Sequence, residues 1–133
     1  MAQLRAGLTL TSTNLTSDSL NLSMSKLFSV AGDVRVFRKV IAASEGEVFT
    51  NQLILDASKY GKCYVLFRNL SVTATEIITI GLADANDDGA LATVNISLGS
   101  EEFAFYPWNS SLDVVADAAS GSPVLEVGIF EAV

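Results

Sequence analysis

Apolar and polar residues alternate along much of this chain, and this period of two constrains its fold more than any other feature. The alternation is clearest in residues 20–25, 34–40 and 93–98. Successive side chains of a β-strand point to opposite faces, so each segment is predicted to be a strand with one buried face. In residues 34–40 the three valines share one face, and we expect that face to be buried.

Two other runs, residues 63–67 and 77–82, are apolar on both faces and rich in β-branched or aromatic residues. This is typical of central strands that are covered on both sides. Turn-forming residues separate the apolar runs at six places: residues 31–33, 45–47, 60–62, 87–89, 98–100 and 121–123.

Eight or nine short strands with hardly any helical pattern predict an all-β fold, an antiparallel β-sandwich with a jelly roll as its favoured form. Residues 113–120 are compatible either with a turn of helix or with the end of a strand and a loop. The length of 133 residues suits a single domain, residues 1–133, with a substantial core.

Residues 1–17 differ in kind from the rest, since they are a mixture of Leu, Thr and Ser with weak alternation and one charge, Arg5. Two alternatives stay open for this segment. It is either an edge strand of the same domain or an arm that pairs with the exposed sheet edge of a neighbouring subunit. Leu8 and Leu10 are the candidate contact residues there.

Charge is divided along the sequence. Residues 1–68 hold all eight cations and five acidic residues, a net charge of +3, whereas the remaining residues hold ten acidic residues and no cation. A subunit with a basic and an acidic side can pack head to tail against copies of itself. The alternative is that the charge serves solubility only, because the fold can interleave the two halves.

A net charge of −7 argues against nucleic-acid binding, which requires a basic face. The short basic cluster at residues 35–39 is predicted to form the solvent side of a strand. Its three cations, Arg35, Arg38 and Lys39, are candidates for contact with an acidic partner surface.

The chain contains no histidine, which excludes Ser-His and Cys-His catalysis and the common zinc sites. Ser23 and Lys26 have the Ser-x-x-Lys spacing, but on a strand they would point to opposite faces. We therefore expect a protein that is not an enzyme and that carries no cofactor. Cys63 is the single cysteine and lies in an apolar run, so we expect it to be buried and inert.

No apolar stretch approaches the length that spans a bilayer, and the N-terminus lacks the apolar core of a signal peptide. We therefore expect no membrane partner and no export.

Asp84, Asn86 and Asp88, followed by a glycine, match the first six positions of a calcium-binding loop. The twelfth position is Asn95, where such a loop needs a glutamate. A plain hairpin turn between residues 77–82 and 93–98 explains the same residues, so these three are only a weak candidate metal site.

The densest aromatic patch is residues 103–108. Phe103 and Phe105 are predicted to face the core, with Trp108 closing the end of the barrel. The alternative is that Tyr106 and Trp108 form an exposed surface that stacks on a sugar or contacts a partner.

Four segments together carry a family resemblance. Residues 62–70 read Lys-Cys-Tyr-Val-Leu-Phe-Arg-Asn-Leu, residues 77–81 read Ile-Ile-Thr-Ile-Gly, residues 98–108 end in an aromatic-Pro-Trp strand, and residues 123–131 contain Leu-Glu-Val-Gly. This order, which covers about half the chain, resembles small virion structural proteins of tailed bacteriophages, especially marine and cyanobacterial phages.

The resemblance implies a β-sandwich or jelly-roll module without catalytic residues, located in the virion and assembled in the host cytoplasm. It further implies a capsid decoration or cement protein that stabilises the assembled shell, with itself, often as a homotrimer, and the major capsid protein as partners. Two alternatives remain: a tail, neck or fibre component, and a carbohydrate-binding module that uses Tyr106 and Trp108.

Overall fold

The computed structural model describes residues 2–14, 19–43, 52–83 and 91–133, and these residues form strands, turns and bends without any helix. The predicted all-β class is therefore confirmed. The strands are β1 (Ala2–Ser12), β2 (Leu20–Val40), β3 (Gln52–Leu55), β4 (Cys63–Asn69), β5 (Ile78–Ala83), β6 (Leu91–Leu98), β7 (Phe103–Trp108), β8 (Val114–Ala118) and β9 (Val124–Ala132).

The strands form two antiparallel sheets. One has five strands in the order β1-β2-β9-β4-β7, and the other has four strands in the order β3-β8-β5-β6. From β2 onward the pairing is nested, because β2 pairs with β9, β3 with β8, β4 with β7 and β5 with β6. The predicted hairpin that joins residues 77–82 to residues 93–98 is confirmed as the β5–β6 pair.

The two sheets bury one shared hydrophobic cluster, which makes the structure a sandwich. Phe67 of β4 is its largest fully buried side chain, and Ile80 of β5, in the other sheet, belongs to the same cluster and has no exposed surface. β4 lies between β9 and β7, and β5 lies between β8 and β6, so both are central strands as predicted. Cover on both faces is not complete, because the alternate residues of β4 are half-buried or exposed. In β4, alternation places Cys63, Val65 and Phe67 in the cluster.

β2 corrects two predictions. The turn predicted at residues 31–33 is instead a shift in strand register between Val30 and Val34 within one strand of 21 residues. The extra residues of such a shift bend a strand without ending it. The first half of β2 pairs with β1, and its second half pairs with β9.

The face of β2 that was predicted to be buried is exposed. Val34, Val36 and Val40 are 49%, 63% and 56% exposed, whereas Phe37 packs against the core and Ile41, just beyond the strand, is fully buried. Both faces of this strand carry apolar residues, and only one of them meets the second sheet.

Residues 113–120, for which the sequence left two alternatives, contain strand β8 between β3 and β5. β3 was not predicted. The turn signals at residues 60–62, 98–100 and 121–123 do separate strands, and Gly121 has a φ of 66°, where an added Cβ would also clash with the Glu76 carboxylate. The turns predicted at residues 45–47 and 87–89 lie outside the described residues.

Candidate functional site

The N-terminal part of the chain forms a long β-hairpin. β1 pairs without a register shift with residues 20–30 of β2, from Ala2 opposite Val30 to Ser12 opposite Leu20. We call β1 together with residues 20–30 of β2 the arm. Eleven paired residues at about 3.4 Å each make it roughly 37 Å long.

The arm is amphipathic. The alternation of side chains places mostly polar residues on one of its faces and mostly apolar residues on the other. The apolar face consists of Leu4, Ala6, Leu8, Leu10, Leu22, Met24 and Phe28, with Lys26 among them. The alternation was clear in residues 20–25 and weak in residues 1–17, and the hairpin was not predicted. The signal that could have found it is the Ser/Thr/Asn/Asp-rich segment of residues 13–19.

The base of the arm folds over its own sandwich. The Phe28 ring lies 4.3 Å from the Tyr64 ring and 6.1 Å from the Phe105 ring, measured between centroids. Val30, where the arm meets β9, is 2% exposed. The arm's apolar face is therefore directed toward the face of the five-stranded sheet that points away from the core, which we call the outer face.

A groove of about 840 Å³ lies between the arm and the outer face. It is mainly apolar, with Leu4, Leu8 and Met24 on the arm and Leu66, Phe105 and Phe130 on the sheet. Arg5 and Lys26 also line it, and neither forms an ion pair with a carboxylate in the described part of the chain.

The far half of the arm is exposed. Leu8, Leu10, Leu22 and Met24 have exposed fractions of 38%, 44%, 48% and 56%. Monomeric soluble proteins rarely expose large contiguous apolar patches, and such patches usually mark a contact with another molecule. Leu8 and Leu10, the contact candidates of the N-terminal segment, thus lie on the exposed apolar surface of the arm.

Three rows of side chains cross all four strands β2, β9, β4 and β7 on the outer face. Two rows are almost wholly apolar and one is charged. In order from β2 to β7 they are Val34, Phe130, Tyr64 and Pro107; Val36, Gly128, Leu66 and Phe105; and Arg38, Glu126, Arg68 and Phe103.

The Phe130 ring lies over Gly128, where an added Cβ would meet it at 3.0 Å. A glycine at this position therefore lets the aromatic ring lie flat on the sheet.

The three cations of residues 35–39 are divided between two faces. Arg38 lies on the outer face, and its Nε is 3.3 Å from Glu126 Oε2. Arg35 and Lys39 instead line a cleft of about 190 Å³ beside β3, together with Lys59 and Asp56. Lys39 Nζ donates a hydrogen bond to the Leu53 carbonyl at 2.9 Å. The structure therefore brings Arg35 and Lys39 together and separates Arg38 from them.

The prediction that Phe103 and Phe105 face the core is wrong, because both lie on the side of β7 that points away from it. Phe103 is 59% exposed and Phe105 lies on the outer face, whereas Tyr106 packs against the core and Trp108 is 5% exposed within it. A shift of one residue in the phase of alternation reverses every side chain of a strand. Trp108 is thus not available as an interface residue, and within the described residues its Nε1 has no hydrogen-bond partner.

Cys63 is fully buried, as the sequence predicted. Burial raises the pKa of its thiol from 9.0 to about 11, and the negative charge of Glu131 adds to the effect. Burial likewise raises the pKa of Tyr106 from 10.0 to about 12, with a smaller contribution from Cys63. Both side chains are therefore neutral in the folded protein at physiological pH.

We expect Cys63 to resist a thiol reagent near pH 8 in the folded protein and to react fully after unfolding in urea, because only the thiolate is nucleophilic. Equal labelling of folded and unfolded protein would contradict the burial of this thiol.

The raised pKa values of Cys63 and Tyr106 favour the neutral forms of both side chains in the folded protein. Their contribution to stability is therefore complete below pH 9 and is lost as pH rises toward 11 for Cys63 and toward 12 for Tyr106. Urea titrations across this pH range measure the loss of stability.

The weak calcium candidate, Asp84, Asn86 and Asp88, lies outside the described residues. Elsewhere, the part of the chain that the structure describes contains no group of three or more potential metal-ligating side chains. Ser23 and Lys26 lie on opposite faces of β2, as their spacing predicted. The described residues contain no helix that is long and apolar enough to cross a membrane.

Comparisons of this chain with family models, with curated proteins and with solved structures found no match. The surface features of this chain that bear on its function are the exposed arm, the outer face and the cleft.

Proposed function

We propose that this chain is a non-enzymatic structural protein of a virus particle, and specifically a decoration protein that binds and stabilises the assembled shell. The observation that carries the proposal is the arm, whose apolar face extends beyond the contact with its own sandwich. An isolated two-stranded hairpin is at best marginally stable in water. The exposed apolar residues of the arm therefore gain the most stability when another protein covers them.

The nested strand pairing supports the same proposal. We infer that β2 to β9 form a jelly roll, because that fold is a long antiparallel hairpin rolled into two sheets with this order of pairs. Jelly rolls occur in viral capsid proteins, and also in lectins and cupins. The fold is compatible with the proposed class but does not select it, since one fold serves many functions.

The mechanism is mass action. A protein that binds only the assembled lattice raises the stability of that lattice by an amount that grows with its concentration over Kd. The apolar side of the arm supplies contact area. The charged row of the outer face and the cations of the Arg35–Lys39 cleft orient the protein on the shell by pairing with carboxylates there. Charge pairs at the rim of an interface act mainly on orientation and association rate.

The carbohydrate alternative lacks support from the positions of its two rings. Trp108 is in the core, and Tyr106 packs against it. Stacking on a sugar requires an open ring face, so the fold leaves Trp108 unsuited to that role. A tail, neck or fibre location remains an alternative that copy number distinguishes.

The proposal is tested by adding the purified protein to shells that lack it and recording their melting by calorimetry. We expect a saturable rise in the melting temperature of the shell. The double variant Leu22→Ser/Met24→Ser should lose most of this rise, because it removes apolar contact area from the arm. Asn21→Ser/Ser23→Ala changes the polar face of the same strand and should retain it. Circular dichroism verifies that both variants are folded, and no shift with the unaltered protein would refute the proposal.

A further inference from the structure

β1 is an edge strand with an unprotected edge. It pairs with β2 along one side, and no described strand pairs with its other side. Natural edge strands are usually kept apart by proline, bulges, several charges or short length. β1 has eleven residues, an unbroken register and no proline, and Arg5 is its one charge. Such an edge is a template for another strand.

We propose that this edge pairs with β1 of a second copy, antiparallel, about a two-fold axis at Gly7. Gly7 is the central residue of Ala2–Ser12, so this register pairs all eleven residues of both strands. Leu4 then lies opposite Leu10 of the other copy, and Ala6 lies opposite Leu8. A contact in which the same surface is used by both copies is the usual form of a two-fold interface.

The charge on β1 is compatible with this register and disfavours two others. Arg5 faces Thr9 of the other copy, and the two arginines are four residues apart along the strand, roughly 13 Å. That separation exceeds the screening length of about 8 Å at physiological ionic strength. A parallel pairing in register would place Arg5 opposite Arg5, and so would an antiparallel pairing centred on that residue. Like charges directly opposite each other destabilise a strand pair.

The pairing also preserves the faces of the arm. Antiparallel pairing about Gly7 matches even-numbered residues with even-numbered residues, so the apolar faces of both arms lie on the same side. The two hairpins become one four-stranded ribbon, which passes the threshold of three strands with a hydrophobic face that independent stability requires.

The size of the contact makes it weak in dilute solution. A strip roughly 37 Å long and about 10 Å deep buries roughly 370 Å² on each copy. This is about half of a standard interface, so the pair exchanges in solution and strengthens where a lattice holds copies side by side. The contact does not depend on shell binding, and purified protein alone tests it.

Disulfide trapping at the axis tests the register. An added Cβ at Gly7 approaches nothing closer than Ser25 Cβ at 3.8 Å, so Gly7→Cys fits the fold. Under mild oxidation we expect it to form a dimer of twice 14.1 kDa. Thr11→Cys alone should stay monomeric, because its two copies are eight residues apart, whereas a mixture of Thr11→Cys and Gln3→Cys should cross-link. The native Cys63 is buried and does not interfere.

Sedimentation velocity over a range of concentrations supplies the second measurement. Gly7→Lys places two ammonium groups at the axis and should weaken self-association about fivefold, whereas Gly7→Ala should leave it unchanged. The proposal is overturned if Gly7→Cys stays monomeric, or if Thr11→Cys alone cross-links equally well. A head-to-tail trimer unaffected by Gly7→Lys would also overturn it. Loss of pairing with retained shell binding would separate this contact from the proposed function.

Discussion

Replacing Asn69 with alanine is expected to lower the free energy of unfolding by about 3 kcal/mol or more. Asn69 is the only fully buried polar residue among those described. Its Nδ2 donates to the Glu76 and Leu98 carbonyls at 2.8 and 3.1 Å, and its Oδ1 accepts the Ser71 N–H at 3.0 Å. Alanine would leave these backbone groups without their partner at a site that water does not reach.

Urea denaturation followed by fluorescence measures this effect. Asn109→Ala is the matched control, because Asn109 is exposed, and its effect should stay within about 0.5 kcal/mol. Asn69→Asp keeps the acceptor for Ser71 but loses both donated bonds and buries a charge, so it should cost at least as much as alanine. A loss below about 1 kcal/mol for Asn69→Ala would contradict the role of this side chain in joining β4 to the loops beside it.

Phe67→Ala is expected to destabilise the fold by about 3 to 5 kcal/mol. The Phe67 side chain has no exposed surface and lies in the cluster shared by both sheets. Removing it loses the transfer free energy of the ring and leaves a cavity that close-packed neighbours fill only in part. This change equals a large share of the stability of a typical domain.

Phe103→Ala is the matched control for Phe67→Ala. The sequence pattern assigned Phe103 to the core, but 59% of it is exposed on the outer face. We expect its replacement to cost less than about 1 kcal/mol, since little of the ring is removed from water. Comparable losses for Phe67→Ala and Phe103→Ala in the same denaturation experiment would contradict the assignment of these two residues to opposite faces.

The difference between Phe67 and Phe103 shows what alternation can predict. A period of two assigns residues to two faces and does not say which face another layer covers. In β4 the run that contains Phe67 is apolar on both faces, so the sequence predicted a central strand without showing which of its faces meets the core. In residues 103–108 both faces carry aromatic rings, so the pattern is consistent with either phase. The valines of β2 were misassigned for the same reason.

Sequence patterns did not predict the contacts between segments that are distant in the chain. Nothing in the residues near Asn69 indicates that its amide binds the Leu98 carbonyl, which is 29 residues away. The nested pairing of strands is equally invisible, since alternation does not identify neighbours. The β5–β6 hairpin was predictable because its two strands are close in sequence and separated by turn-forming residues.

The arm is an intermediate case. The sequence left an edge strand and an inter-subunit arm as alternatives for residues 1–17. β1 is the edge strand of the five-stranded sheet. The exposure of Leu10 on β1 and of Met24 on β2 shows that the apolar face of the arm extends beyond its own sandwich.

The copy number of this protein relative to the main shell protein, measured by quantitative mass spectrometry of purified particles from its source, tests the proposed function most directly. A shell decoration protein is present in numbers comparable to those of the shell protein, and that ratio is the result we predict. A few copies per particle would place the chain in the neck, tail or fibre, and its absence from the particles would contradict a structural role in the virion.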